Sequence, residues 1–359
     1  MLATFLITLL TIVFLAALHE FGHFILAKKM GVKIEEFGLG YPPRVLGKKI
    51  GETTYSLNLI PFGAFVRPSG EEDPIEDWRS LKQKAIWQRA LITLGGVVSF
   101  WIIGVILLTI VFNLGMPTAI LDTDLAPNSK VQIVDIASNS PAQMAGLQMG
   151  DSVKKLTIDN LQFPIAKVEE LQKLIEEYKG EEIVLTIERG KEIFDVNLVP
   201  RVSPPPEEGS LGVSLVRVVI KNYPFYIAPL KAMDASIKTT LNIFEGFSQT
   251  FTSLIGGEGL PQGVELMGPV GIAVLISHAF QTGFIYYLQF VAIIAFHLAI
   301  INALPIPALD GGKLLFLGIE KIKGSPINQK TEKNINATFF ALLVLLMILV
   351  TIKDLVKIF

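Results

Sequence analysis

Four long apolar runs are the feature that most restricts what this chain can fold into. They cover roughly residues 2–24, 91–114, 284–304 and 336–352. Each is close to the ~20 residues that one helix needs to cross the hydrocarbon core of a bilayer. The mean hydropathy of the chain, +0.52, is too high for an ordinary soluble domain. The runs predict a polytopic α-helical membrane protein with about four transmembrane helices.

The first run ends in the sequence His19-Glu20-Phe21-Gly22-His23. On a helix the two histidines lie four positions apart on one face, so both imidazoles can bind one Zn²⁺. Glu20 adjoins the first histidine and can act as general base toward a metal-bound water. The alternative is a structural histidine pair. Ionisable groups at membrane depth are costly and usually functional, which favours a metal site.

A second polar cluster ends the third span, which we place at residues 284–312. Two prolines are expected to disrupt the helix there. Asp310 can complete a two-histidine, one-carboxylate zinc site that leaves the fourth position for water, and a helix-end cap is the alternative. Spans one and three both end on the inner side, so Asp310 reaches the depth of the histidine motif. We expect His278 and His297 to be structural.

The distribution of basic residues sets the predicted orientation. Lys28 and Lys29 follow the apolar run 2–24 and end the first-span segment (residues 1–30), and the connection to the second span (residues 91–116) is also basic. Basic loops stay on the cytoplasmic side, which puts the zinc site near that face. The expected location is the inner (plasma) membrane. No clear basic n-region or cleavage site marks a signal peptide, so the first span is expected to be uncleaved.

Residues 31–90 are predicted to form a β-hairpin loop and an interfacial helix on the cytoplasmic side. Residues 51–60 alternate, Pro61 to Gly63 signal a turn, and residues 64–66 resume an extended run. Residues 32–39 are expected to pair with this segment. Its role is either purely structural, or its edge accepts an unwound substrate strand.

Two further features stand out in residues 31–90. Pro42-Pro43 is expected to end the first strand. Residues 70–90 are charged and contain Trp78 and Trp87, which is typical of a surface helix at the membrane boundary.

Residues 125–201 are predicted to form a soluble β-rich domain outside the membrane. The string Ser-Pro-Ala-x-x-Ala-Gly-Leu-x-x-Gly-Asp at residues 140–151 resembles the PDZ domains of bacterial membrane and periplasmic proteases. In such domains a groove beside an edge strand binds a peptide or a C-terminus. A generic small β domain is the alternative. The expected strands and helix are residues 131–134, 168–178, 183–188 and 194–198.

Residues 202–283 are read as a linker followed by an interfacial amphipathic region. Pro204 to Gly209 form the expected linker, and residues 223–252 are predicted to lie on the outer membrane surface against lipid. Gly268 to Ala273 are expected to break any regular helix. Residues 270–280 are apolar but too short for a clear crossing. The fourth span is placed at residues 336–353.

Composition excludes several functions. The 359 residues include no cysteine, which excludes thiol catalysis, disulfides and cysteine–zinc sites. The net charge of −2 gives no sign of nucleic-acid binding.

Three features together resemble the site-2 protease family, most closely its bacterial RseP-like branch. They are His-Glu-x-x-His in the first span, the PDZ-like insert, and Asn302-x-x-Pro305-x-x-x-Leu309-Asp310-Gly311 in a later span. The resemblance covers almost the whole chain. It implies an intramembrane zinc metalloendopeptidase in which His19, His23 and Asp310 bind Zn²⁺ and Glu20 is the general base.

The resemblance also implies a substrate site. Asn302 would help to hold the substrate near the metal, and the hairpin would pair with it, with Gly63 and Phe65 as candidate binding residues. The implied substrates are single-span membrane proteins, such as anti-sigma factors or remnant signal peptides. Two departures stand out. The family often has asparagine where Ser99 stands, and the RseP type commonly carries two PDZ domains, whereas only one is predicted.

Other functions remain open from the sequence. The chain could be a membrane-anchored peptidase that cuts cytosolic peptides, or a catalytically silent scaffold that binds partners through the PDZ-like domain. A transporter is disfavoured because the internal repeats typical of transporters are not visible.

Overall fold

The computed structural model describes residues 2–71, 77–190, 192–205, 208–257, 259–261, 264 and 266–358. The chain folds into two units. The first consists of Met1–Thr109, Pro229–Ser277 and Gln289–Phe359, and the second of Ile110–Ala228 and His278–Leu288.

The helices and strands follow one another in a simple order along the chain. The helices are α1 (Leu2–Lys29), α2 (Ile86–Leu114), α3 (Pro141–Met144), α4 (Val168–Glu177), α5 (Ala228–Ile255), α6 (Pro269–Thr282), α7 (Phe284–Ala303), α8 (Asp310–Lys323) and α9 (Gln329–Ile358). The strands are β1 (Ile34–Ile50), β2 (Thr53–Pro68), β3 (Met116–Ile120), β4 (Lys130–Ile136), β5 (Ser152–Ile158), β6 (Leu161–Pro164), β7 (Ile183–Arg189), β8 (Glu192–Leu198) and β9 (Val213–Lys221).

Four of the helices are long and apolar enough to cross a membrane. The candidate spans within the described residues are Phe5–Lys29, Ile86–Leu114, Phe284–Ala303 and Gln329–Val356. Apolar helices of 20 residues or more satisfy every backbone group internally, which is what a spanning segment requires. The expected class, a multi-pass helical membrane protein with an inserted β-rich domain, is confirmed.

Helices α1 and α2 pack closely because glycines face each other. A Cβ on Gly22 would lie 2.1 Å from the carbonyl oxygen of Gly95, and a Cβ on Gly95 would lie 2.7 Å from that of Gly22. Small residues at a helix crossing let the two backbones approach within van der Waals distance. This contact fixes the end of α1 that carries the histidines against α2.

Strands β1 and β2 form an antiparallel hairpin that folds back on itself. Residues 36–39 lie opposite both 54–57 and 64–67. The expectation that Pro42-Pro43 ends the first strand is wrong, because β1 continues to Ile50. The prolines sit where the pairing is irregular, between Tyr41 and Arg44, and a strand tolerates proline at such a position because no ladder hydrogen bond is lost.

The expected separate interfacial helix over residues 70–90 does not form in the described part of that range, and residues 86–90 are the start of α2. Only a short 3-10 turn, Leu81–Gln83, precedes α2. The backbone of this stretch is bonded to the base of the hairpin instead: Lys33 N donates to Arg79 O, and Leu81 N donates to Ser69 O. Groups used in this way are not available for a helical ladder. Residues 72–76 lie outside the described part.

The second unit contains the inserted β domain. Its sheet has the strand order β3-β9-β4-β5-β7-β8, and β6 pairs with β5. The core is aliphatic and includes the fully buried side chains of Val131, Ile133, Leu156, Ile183, Leu185 and Ile187. Helix α4 covers this core with Leu171 and Ile175.

The predicted limits of this domain, residues 125–201, are too narrow. Strands β3 and β9 extend it on both sides and pair with each other, Met116 opposite Lys221 through Ile120 opposite Arg217. The buried Arg217 side chain donates to the carbonyl oxygens of Leu121, Asp122 and Asp124. Part of the expected linker region, residues 202–283, therefore belongs to the sheet. Pro206 and Glu207 of that linker lie outside the described residues.

Residues 202–283 also contain two helices, α5 and α6. Helix α5 exposes a line of large apolar side chains, Leu230, Ile237, Leu241, Phe244 and Phe251. The expectation that residues 268–273 break regular structure is wrong, because α6 begins at Pro269. The carboxylate of Asp354 in α9 accepts hydrogen bonds from the amides of Gly268, at 2.9 Å, and Gly271, at 2.8 Å. It therefore caps the first turn of α6.

Candidate metal centre

Three side chains from distant parts of the chain meet in the first unit. His19 and His23 lie on α1, and Asp310 is the first residue of α8. The Nε2 atoms of the histidines are 3.3 Å apart, and Asp310 Oδ2 lies 3.3 Å from His19 Nε2 and 3.2 Å from His23 Nε2. The structure therefore brings together the three residues that the sequence nominated as metal ligands.

The imidazoles are held in the orientation that a ligand needs. The Nδ1–H of His23 donates to the carbonyl oxygen of Ile92 in α2, at 2.9 Å, which leaves the lone pair on Nε2. The ring of His19 stacks on Phe100, with centroids 4.5 Å apart. These contacts from α2 aim both Nε2 atoms at the carboxylate of Asp310.

The triangle of donor atoms fits zinc. Bond lengths of about 2.0–2.2 Å in a tetrahedral site imply ligand atoms roughly 3.3–3.5 Å apart, and the sides of this triangle are 3.2–3.3 Å. Asp310 Oδ2 is buried and has no hydrogen-bond partner. Two imidazole nitrogens and one carboxylate oxygen form a donor set that leaves a fourth position open, as catalytic zinc sites do.

The space beside the triangle exists because residue 96 is glycine. A Cβ there would lie 2.3 Å from His23 Nε2 and 2.4 Å from His19 Cε1. Any side chain at this position of α2 would force the imidazoles to move. The lack of side-chain atoms at Gly96 is therefore part of the geometry of the site.

Glu20 lies beside the histidines and faces the hairpin. Its Oε2 accepts a hydrogen bond from the amide of Val66 in β2, at 3.1 Å. Glu20 and His23 line a cavity of about 200 Å³ together with Ala64, Phe65 and Val66. A carboxylate next to the metal triangle and open to a cavity is placed to exchange a proton with a water there.

An ion pair closes the same cavity on another side. Lys313 Nζ, on α8, lies 3.0 Å from Glu71 Oε1, and both residues line the cavity. The nearby Glu71 carboxylate raises the pKa of Lys313, which keeps this side chain cationic. The positive charge of Lys313, three residues after Asp310, therefore faces the cavity.

The other residues singled out from the sequence are Phe65, Gly63, Asn302 and Ser99. Phe65 lines the cavity and stacks on Tyr41. Gly63 has φ +78° and lies against the same tyrosine, where a Cβ would be 3.1 Å from the ring. Asn302 donates to Leu298 O within its own helix. Ser99 donates to Gly96 O at 2.7 Å.

The remaining histidines are not part of the metal triangle among the described residues. The Nδ1 of His297 bonds to Ile293 O one turn earlier in α7, and its ring packs near Phe247. This local bonding agrees with the structural role expected from the sequence.

Comparison with known proteins decides the family. Residues 5–346 match peptidase family M50. The chain belongs to this family, the site-2 proteases. It is 32% identical over 348 residues to a chain of Clostridium perfringens whose name describes a zinc metalloprotease, with 95% of both chains covered. It is 25% identical over 436 residues to the zinc metalloprotease RasP of Oceanobacillus iheyensis, with 96% of this chain and 97% of RasP covered.

This M50 protein is therefore a zinc metalloprotease of the membrane, and its relatives include the RseP-like RasP. Sequence reasoning found the histidines, Glu20 and Asp310, but it missed the carbonyl of Ile92, the amide of Val66 and the space at Gly96. The first two are backbone groups, which carry no residue-type signal. The third could have been inferred from the small-residue pattern of α2, which indicates close helix packing.

Proposed function

We propose that this protease cleaves the transmembrane segments of single-span membrane proteins, as a step of regulated intramembrane proteolysis. Anti-sigma factors and remnant signal peptides are the expected substrate types. The observation that carries the proposal is the meeting of His19, His23 and Asp310 beside Glu20, in a chain with four candidate membrane spans. Ionisable side chains inside a membrane cost free energy, and those that occur there usually have a function.

The edge of the β1–β2 hairpin offers a place where the substrate would bind. A transmembrane helix hides its peptide bonds in internal hydrogen bonds, so it must unwind before it can be cut. Residues 64–67 pair with β1 on one side, and Ala64, Phe65 and Val66 face the cavity. An unwound substrate would add to this edge as a further strand. We assign Phe65 to substrate contact, Gly63 to the turn that forms the edge, and Asn302 to substrate positioning.

The residues divide the chemistry between them. His19, His23 and Asp310 would hold zinc, which would supply a Lewis acid for the scissile carbonyl and for water. The carbonyl of Ile92 fixes the tautomer of His23. Glu20 accepts the proton of the attacking water and returns it to the leaving amine. The Val66 amide, which donates to Glu20, couples this base to the edge where substrate would pair.

We further assign the β domain to the PDZ class. Its Ser140 side chain caps α3 by accepting from Gln143 N, and Asp151 pairs with Arg189 at the end of the same motif. We expect its groove to bind an extended peptide or a C-terminus. The exposed apolar line of α5 would contact lipid. The basic residues Lys28 and Lys29 in the last turn of α1 support an inner-membrane orientation with the metal site near the cytoplasm and this domain outside.

A reporter assay tests the proposal. A tagged single-span substrate is incubated in proteoliposomes with wild type, Glu20→Gln or Glu245→Gln, with and without a zinc chelator. Glu245 is an exposed residue of α5 and serves as the matched control. We expect the chelator to abolish cleavage. Glu20→Gln should lower the rate by about 10²–10⁴-fold with zinc still bound, and Glu245→Gln should act as wild type.

Equal cleavage by wild type and Glu20→Gln would contradict the assignment of the base. No cleavage by wild type, with or without the chelator, would favour a catalytically silent scaffold. Cleavage of a soluble peptide but not of the helical reporter would instead favour a membrane-anchored peptidase that acts on cytosolic peptides. Substituting Phe65 by Ala is expected to raise KM for the reporter more than it changes kcat, because the contact is made before the chemical step.

A further inference from the structure

The loop that presents Asp310 is held in an unfavourable backbone conformation. Ala308, two residues before Asp310, has φ +76°, in the left-handed region that non-glycine residues rarely adopt. The chain then turns through Leu309 into the first turn of α8. A change at residue 308 would be passed through this turn to the Asp310 carboxylate, because only one residue separates them.

A side chain from the last helix holds this loop. The amide of Ala308 donates to Asn336 Oδ1 at 3.1 Å, across 28 positions of sequence. Asn336 is half-buried on the first part of α9, while Asn334 on the same helix is exposed. The bond satisfies the backbone donor of the residue whose conformation is strained, and such strain persists only when surrounding contacts hold it.

The other residues of this loop have little room to move if the conformation at Ala308 changes. A Cβ on Gly311 would lie 2.0 Å from Leu304 O, and a Cβ on Gly312 would lie 2.4 Å from Ile306 O. The start of α8 is thus packed directly on the backbone of residues 303–307. With both ends of the loop fixed, the conformation at Ala308 determines the direction in which Asp310 points.

We propose that Asn336 is a positioning residue for the metal centre: its bond to the Ala308 amide keeps Asp310 aimed at His19 and His23. This inference rests on the proposed role of Asp310 as a zinc ligand. Asn336 is not one of the three residues of the metal triangle or of the residues that line the cavity, so its proposed action is through the loop.

Zinc affinity tests the inference without relying on proteolysis. The purified full chain is titrated with zinc against a competing chelator, as wild type, Asn336→Ala, Asn334→Ala, Ala308→Gly and the double variant Asn336→Ala/Ala308→Gly. We expect Asn336→Ala to lower the affinity about tenfold, the lower end for residues outside the ligand shell. Asn334→Ala should match wild type. Glycine adopts a positive φ without strain, so Ala308→Gly should restore most of the affinity in the double variant.

The rescue separates positioning from general damage. If Asn336→Ala binds zinc as wild type does, or if the double variant is as weak as the single one, the inference is overturned. Asp310→Asn is titrated alongside. If that variant also keeps full affinity, the proposed ligand set fails; if only Asp310→Asn is weakened, the ligand set stands and the role of Asn336 is rejected. In the cleavage assay, Asn336→Ala should lower kcat and leave KM unchanged.

Discussion

The metal centre and the β domain are built in opposite ways. At the metal centre, a few polar groups from α1, α2 and α8 meet, and the arrangement depends on single contacts such as the one from His23 to Ile92 O. In the β domain, many aliphatic side chains share one core, with Leu156, Ile183 and Leu185 fully buried. Apolar packing is spread over many small contacts, while the geometry of the site rests on a small number of directional ones.

This difference predicts that chemistry and stability can be changed separately. A substitution at the metal centre should alter zinc binding and leave the β domain folded. A substitution in the aliphatic core should lower the stability of the domain and leave zinc binding intact. The substitutions below test that separation.

The largest effect is expected from Gly96→Ala. The added Cβ would lie 2.3 Å from His23 Nε2, so the imidazoles must move away from Asp310. We expect zinc affinity to fall about 100-fold and cleavage to be lost. The measurement is a zinc titration of the purified chain. Gly318→Ala, in α8, is the matched control because a Cβ there meets nothing within 4 Å. A Gly96→Ala chain that binds zinc normally would show that the space at residue 96 does not matter.

The same contrast explains what the sequence could predict. The histidines, Glu20 and Asp310 stand out because they are ionisable residues at the ends of apolar runs. The Val66 amide, the Ile92 carbonyl and Asn336 do not stand out, because each acts through a tertiary contact with a separate segment of the chain. Residue type alone does not encode such a contact.

The predicted limits of the β domain were too narrow for a related reason. Its strands β4, β7 and β8 were expected because each lies in a short strand-like run. Strands β3 and β9 were missed because they lie outside the predicted limits of the domain and pair across about 100 residues, Met116 with Lys221, although β9 is rich in valine. In β1, Pro42-Pro43 predicted the end of the strand. The strand continues because the residues on both sides of the prolines pair with β2.

The second test is Leu156→Ala in the core of the β domain. Leu156 is fully buried in β5, and truncation leaves a cavity, so we expect the domain to lose about 2–5 kcal/mol of unfolding free energy. Hydrogen exchange of the β7 and β8 amides measures this loss. Leu161→Ala, in which the replaced side chain is 61% exposed, should change little. Loss of zinc affinity together with domain stability would show that the two regions are not independent.

A smaller effect is expected from Asp354→Ala in α9. This buried carboxylate accepts from the amides of Gly268 and Gly271 and caps α6, so its loss should cost about 1 kcal/mol. Hydrogen exchange in the first turn of α6 should quicken about fivefold, while zinc affinity stays unchanged. Asp234→Ala removes a largely exposed carboxylate of α5 and is the control. Unchanged exchange in α6 would mean that the cap does not stabilise the helix.

The smallest effect concerns Glu36 in the hairpin and depends on pH. Burial alone would raise the pKa of Glu36, but hydrogen bonds from Ser56, at 2.6 Å, and Arg44, at 2.8 Å, outweigh burial and hold it below its usual value. Because the pKa is lowered on folding, the stabilisation is present above the unfolded value of about 4.3 and is lost as pH falls through the folded pKa. Glu36→Gln should therefore cost roughly 0.5–1 kcal/mol at pH 7, and the difference from wild type should shrink below about pH 4. Thermal melts of both chains across this range measure the difference, with the exposed neighbour variant Glu35→Gln as control. A constant gap between wild type and Glu36→Gln at every pH would show that the substitution acts through packing, and the hairpin would then resemble the β domain rather than the metal centre.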